Sequence, residues 1–238
     1  MVRYYCMKKY FNKIWNYFWI HYILNKPIKY SGLKGNKMDY ESWDEIAPYK
    51  GKISKTSYEN MSDKEREKYT ERVQEFAHRY INVSPKKYVP NSNNKYTPEY
   101  SICHFSEALN KDLRKDLRNE EACEYSNAIK KYSLMNDIVV YRGIDDSVLN
   151  QTKEVALFIN DVDMYEKGFL HTSLTKATIQ KTERILRILL PKGTCAFYAG
   201  NVNGEIESFQ EVVVQRGAKL RILGEDEIYI NCLLIDTE

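Results

Sequence analysis

Three short segments of the 238-residue chain carry side chains suited to chemistry. They are Tyr141-Arg142-Gly143, Phe169-Leu170-His171-Thr172-Ser173, and Glu211-Val212-Val213-Val214-Gln215-Arg216-Gly217. Arg142 offers a planar, permanently charged fork that meets a phosphate or carboxylate at two points. Thr172 and Ser173 add short hydroxyls, and His171 adds an imidazole; all three can donate and accept. Glu211 supplies a carboxylate, which can accept hydrogen bonds and stabilise positive charge that develops in a reaction. Taken singly, each has an ordinary structural reading. An arginine at a strand end is commonly solvated or salt-bridged, and strand hydroxyls commonly face water. A glutamate ahead of three valines can simply guard a strand edge. The information lies in the ordered set.

The elements that must position these residues divide the chain into two halves. Ser62-Asp63-Lys64-Glu65 has the spacing of a capping box, so a helix starts there. Tyr69, Val73, Phe76 and Tyr80 then fall on one helical face. Residues 82–98 read as a loop, with helices expected near 100–109 and 120–132. From Ile138 the character changes to short β-branched and aromatic runs: 138–143, 168–174, 185–190, 195–198, 211–214, 220–223 and 228–235. Helices followed by strands are the signature of an α+β fold, here N-terminal helices on a two-layer, mostly antiparallel β core.

Composition narrows the classes. Hydrophobic residues make up 43% and aromatic residues 13%, too much for a disordered chain. The five cysteines are scattered, with no C-x-x-C pair, and the four histidines show no paired spacing, so no metal site is expected. The net charge of +3 is misleading. Eight of the 36 basic residues and none of the 33 acidic ones lie in residues 1–37, leaving 28 against 33 in the rest. A mildly acidic body gives no reason to expect a nucleic-acid partner.

Residues 1–37 therefore stand apart as a basic, aromatic segment, followed by a body at 38–238 read as a single domain. The apolar stretch at 10–24 is interrupted by Asn12, Lys13, Asn16 and His21, and is too short and polar for a membrane span. Three readings stay open: a start of translation at Met38, a degenerate signal or surface anchor, and a helix packed on the domain. No firm membrane partner follows.

The three motifs, in this order, resemble the Arg–Ser-Thr-Ser–Glu class of mono-ADP-ribosyltransferases, which contains the C3-like bacterial exoenzymes. The resemblance covers about residues 60–236, including the strand and turn at 185–194 and the helix ending in Asn127-Ala128-Ile129-Lys130-Lys131. It implies an NAD cleft, with NAD as co-substrate and no metal. It implies transfer of ADP-ribose to a protein target with loss of nicotinamide, in a secreted or delivered toxin or effector; a cytoplasmic location is the other option. Within it, Glu211, Ser173 and Arg142 take catalytic places. Arg142, Tyr141, His171, Thr172 and Ser173 take cofactor-binding ones, and Phe209 and Gln210 face the target.

Two departures bear on activity. His171 stands where the class has its first serine. Phe209 stands where it usually has Glu or Gln, two residues before the catalytic glutamate, and Gln210 follows. Glu205 and Glu207 form a competing Glu-x-Glu, but only Glu211 precedes an apolar strand and an Arg-Gly turn. Besides transfer, two further readings follow: NAD hydrolysis on the same fold, and a catalytically weak NAD-binding module.

Overall fold

The computed structural model describes residues 61–68, 71, 77, 81, 97–117, 120–175, 184–199 and 210–238. All lie in one compact unit, Asp44–Glu238, distinct from Met1–Trp43. The basic segment, the boundary expected after residue 37, and the face of Tyr69, Val73, Phe76 and Tyr80 fall outside the described residues, as do Phe209, Glu205 and Glu207.

The helix expected after Ser62 is present, with the glutamate half of the capping box. Glu65 accepts hydrogen bonds from the Ser62 backbone N–H at 2.8 Å and from the Ser62 hydroxyl at 2.7 Å, and residues 63–68 are helical. Among the described residues three full helices follow: α1 at Pro98–Arg114, α2 at Glu120–Ile129 and α3 at Asp146–Ala156. The same residues hold eight strands: β1 Ile138–Ile144, β2 Met164–Glu166, β3 Leu170–Ser173, β4 Arg184–Leu190, β5 Ala196–Tyr198, β6 Glu211–Val214, β7 Ala218–Glu225 and β8 Tyr229–Asp236. Every strand predicted from the sequence is found. Helix α3 and strand β2 are additions.

The strands form one hydrogen-bonded sheet in the order β2-β7-β8-β4-β1-β3-β6-β5. All pairs are antiparallel except β4 with β8. The β1–β3 junction is slight, registered at Tyr141 and Ser173 alone. It divides the sheet into a five-stranded and a three-stranded half. Inner-facing residues of both halves, among them Val140, Ile188, Cys232, Leu170, Val212 and Tyr198, pack into one apolar core. The outer face of the three-stranded half buries Phe169, Phe197 and Val213 against Ile102, Leu109 and Leu113 of α1 and Ala122, Tyr125 and Ile129 of α2. Alternate residues of β5 and β6 thus serve two cores, which explains the apolar runs Ala196–Tyr198 and Val212–Val214.

The sheet curls strongly. Three strands separate β2 from β1, and four spacings of about 4.8 Å would hold them about 19 Å apart if flat. Yet Arg142 of β1 reaches Glu166 of β2 at 3.3 Å. The inner faces of the two halves meet in one core, so the expected two β-layers are the two halves of one curled sheet.

Candidate active site

Helix α1 organises the site. Thr97 caps it, accepting the Tyr100 N–H at 3.2 Å, and Pro98 occupies the first turn, where its missing N–H costs nothing. Ile102, Leu109 and Leu113 bury an apolar stripe. Beside it runs a polar stripe with i, i+4, i+8 spacing: Ser106, Asn110 and Arg114. Each of the three bonds to a different point of the stretch from Glu166 at the end of β2 to His171 in β3.

At one end, Arg114 grips Glu166 as a two-pronged fork, Nε to Oε1 at 3.0 Å and Nη2 to Oε2 at 2.7 Å. Arg142 joins the same carboxylate at 3.3 Å, and the Gly168 N–H adds a bond at 3.0 Å. Burial pushes the Glu166 carboxyl up, but the Arg142 charge, the Arg114 bonds and charge, and the Gly168 N–H outweigh it and hold the group below its ordinary value. Burial pulls the Arg142 guanidinium down, opposed by Glu166 and reinforced by Arg114. A guanidinium stays charged regardless, so two cations around one anion leave a net positive charge.

In the middle, Asn110 is buried and bonds both sides of Phe169, accepting its N–H at 2.8 Å and donating to its carbonyl at 3.0 Å. The helix comes this close because residue 168 is glycine. A Cβ there would lie 2.4 Å from Asn110 Oδ1.

At the other end, the Ser106 hydroxyl lies 2.7 Å from His171 Nε2, and His171 Nδ1 lies 2.6 Å from Glu211 Oε1. His171 and Glu211 remain partly accessible, with side chains 25% and 15% exposed. Eight helical residues separate Ser106 from Arg114, a rise of about 12 Å. The carboxylate and the cationic pair thus flank one helix.

The strands bring together part of the predicted set. Tyr141, Ser173 and Glu211 are successive register partners across β1, β3 and β6 and share a face with His171. Tyr141 is buried. Ser173 Oγ donates to the Thr175 carbonyl at 2.8 Å and accepts the Thr175 N–H at 3.1 Å, shaping the chain just past β3. Thr172 is set apart. Strand alternation turns it to the opposite face, where its hydroxyl donates to the Val212 carbonyl at 2.8 Å. The expectation that it lines the site beside Ser173 is corrected accordingly. Gln210, expected to face a target, is fully buried, with its side chain bonded to the Tyr198 hydroxyl and its carbonyl accepting the Leu174 N–H at 2.8 Å. Its φ of +48° is unusual for a side-chain-bearing residue.

Sequence reading missed Ser106, Asn110, Arg114 and Glu166. The one available signal was the i+4 polar spacing on an otherwise apolar helix face, which solvated helices also show. Among the described residues, no group of three His, Cys, Asp or Glu side chains is placed to hold a metal ion, and no helix is long and apolar enough to cross a membrane.

The curled sheet, the helix across its three-stranded half and the strand-borne arginine and glutamate define an ADP-ribosyltransferase-like architecture. The family model "ADP-ribosyltransferase exoenzyme" matches residues 49–233, and the chain belongs to that family, whose enzymes use NAD as co-substrate. The fold is that of the C3 exoenzyme of Clostridium limosum, which matches with a TM-score of 0.54 at 16% identity, covering 70% of this chain and 95% of that one. The toxin Plx2a of Paenibacillus larvae matches at 16% identity and a TM-score of 0.47, over 71% and 97% of the two chains. C3stau2 of Staphylococcus aureus, solved with NAD, matches at 17% identity and a TM-score of 0.42, over 65% and 100%. No curated protein matches the sequence.

Proposed function

We propose that this NAD-dependent mono-ADP-ribosyltransferase modifies a protein target as an exported toxin or effector, with Glu211 as the carboxylate of the reaction. The observation that carries this reading is the His171–Glu211 contact at 2.6 Å, which fixes a part-exposed carboxylate on the face shared with Ser173. In the reaction, the bond between ribose C1′ and the nicotinamide nitrogen breaks and its electron pair leaves with nicotinamide. The acceptor's lone pair then bonds C1′ and its proton is released. Positive charge builds on the ribose in between, and an oriented, partly desolvated carboxylate stabilises it. Arg142 and Arg114 around Glu166 suit the pyrophosphate, because their net charge survives the shared carboxylate. Tyr141, His171 and Ser173 frame the ribose side.

Hydrolysis by water is the second reading, favoured by Gln210. Its amide is turned into the interior towards Tyr198, so the residue before Glu211 offers no side chain to an acceptor. Labelled NAD incubated with the protein and a host-cell lysate separates the two. Label on a lysate protein supports transfer, and free labelled ADP-ribose alone supports hydrolysis. Intact NAD after long incubation defeats both.

A further inference from the structure

Ser106 lies 65 residues from His171 in the chain, in the middle of α1, and is buried. An ionised carboxylate can only accept, so the His171 nitrogen facing Glu211, Nδ1, carries its hydrogen. Nε2 then presents a lone pair when the ring is neutral and an N–H when the ring is charged. A hydroxyl suits both states: it donates to the lone pair or, after rotating, accepts from the N–H. Ser106 thereby holds the ring in one orientation whatever its charge. The other groups nearby do not compete for this task. Cys103, one turn earlier on α1, is kept a neutral thiol, its pKa pushed well up by burial and then by the charges of Glu211 and Glu99. Glu99 itself accepts from the Tyr132 hydroxyl at 3.0 Å.

We propose that Ser106 is a positioning residue for the Glu211 carboxylate, acting through His171. The inference rests on Glu211 being the carboxylate of the reaction. It makes helix α1 part of the apparatus, since the carboxylate is then oriented from the strand beneath it and from the helix above. A second hydrogen bond that fixes the ring of an orienting histidine is the device by which outer residues sharpen a site.

Steady-state nicotinamide release tests the assignment. Ser106→Ala is expected to lower kcat about 10–100-fold, the range for losing an orienting partner, with little change in KM for NAD. Ser106→Cys, nearly the same size but a poor hydrogen-bonding partner, should match it, guarding against an alanine variant that fails to fold. Ser106→Thr restores the hydroxyl and should recover most of the loss. If Glu211→Gln abolishes turnover while Ser106→Ala and Ser106→Cys retain full kcat, the role of Ser106 is refuted alone. A loss that Ser106→Thr does not recover refutes it too, because packing rather than the hydroxyl would then matter. If Glu211→Gln turns over NAD like the parent, the underlying reading of Glu211 falls, and this inference with it.

Discussion

Glu211 and Arg142 carry like roles on paper but should fail differently when replaced. As the proposed carboxylate of the reaction, Glu211 would matter most when charge develops on the ribose, so Glu211→Gln should lower kcat by about 10²–10³-fold with NAD binding largely kept. Isothermal titration with NAD beside nicotinamide release checks both halves. Arg142 would contact a pyrophosphate that is charged before, during and after the reaction. Arg142→Ala should therefore raise KM for NAD more than it lowers kcat. His171 is the residue peculiar to this chain. Its ring spans from Ser106 to Glu211, a reach that a serine at 171 lacks. His171→Ser should accordingly reduce turnover; a gain would mean that the imidazole hinders the site.

At the scale of elements, α1 is fastened to the β2–β3 segment by three polar side chains four residues apart, and Asn110 is the central one. Its replacement by alanine leaves the buried Phe169 N–H and carbonyl without their side-chain partner. An unmade buried bond costs about 1–3 kcal/mol, so Asn110→Ala should lower the urea midpoint measurably, with the slope of the transition unchanged. Gly168→Ala should act on the same seam from the other side. Its new methyl would meet Asn110 Oδ1 at 2.4 Å, and either the helix or the amide must yield. Strand β6 starts from a second constrained point, Gln210, where the left-handed backbone and the buried amide set the direction in which Glu211 leaves the turn.

At the scale of the molecule, Glu166 ties the edge strand β2 to β1 and to helix α1, and should dominate acid sensitivity. Its carboxyl is held below the ordinary 4.5 in the folded protein, so the stabilisation it provides is complete above that value. It is lost as the pH falls below about 4.5 and through the lowered folded value. Glu166→Gln should flatten this acid limb in urea melts between pH 7 and pH 3. It should also destabilise the protein at pH 7 by about 3–5 kcal/mol, because two largely buried guanidiniums lose their shared anion. The family match begins at residue 49 and the compact unit at Asp44. A chain begun at Met38 is accordingly expected to fold and turn over NAD like the whole. Circular dichroism and nicotinamide release would show otherwise if residues 1–37 contribute.

The sequence by itself determined the class of fold, the positions of the strands and the order of Arg142, Ser173 and Glu211. Those properties are local: β-branched runs, a capping box and turn glycines act within a few residues. Helix α3 escaped because its buried positions, Leu149, Thr152 and Ala156, are few and sit among Asn150, Gln151 and Lys153. Strand β2 escaped because three residues cannot display an alternation. What only the tertiary structure decided was partnership. Ser106 meets His171 across 65 residues of chain, and Arg114 meets Glu166 across 52. Nothing local distinguishes these side chains from a solvated helix face. Thr172 and Ser173 are adjacent in the chain, yet the pleat sends one inward to Val212 and leaves the other on the face of Glu211. Which residues share a site was set by the curl of the sheet and the lie of one helix across it, and both arise from packing between distant segments.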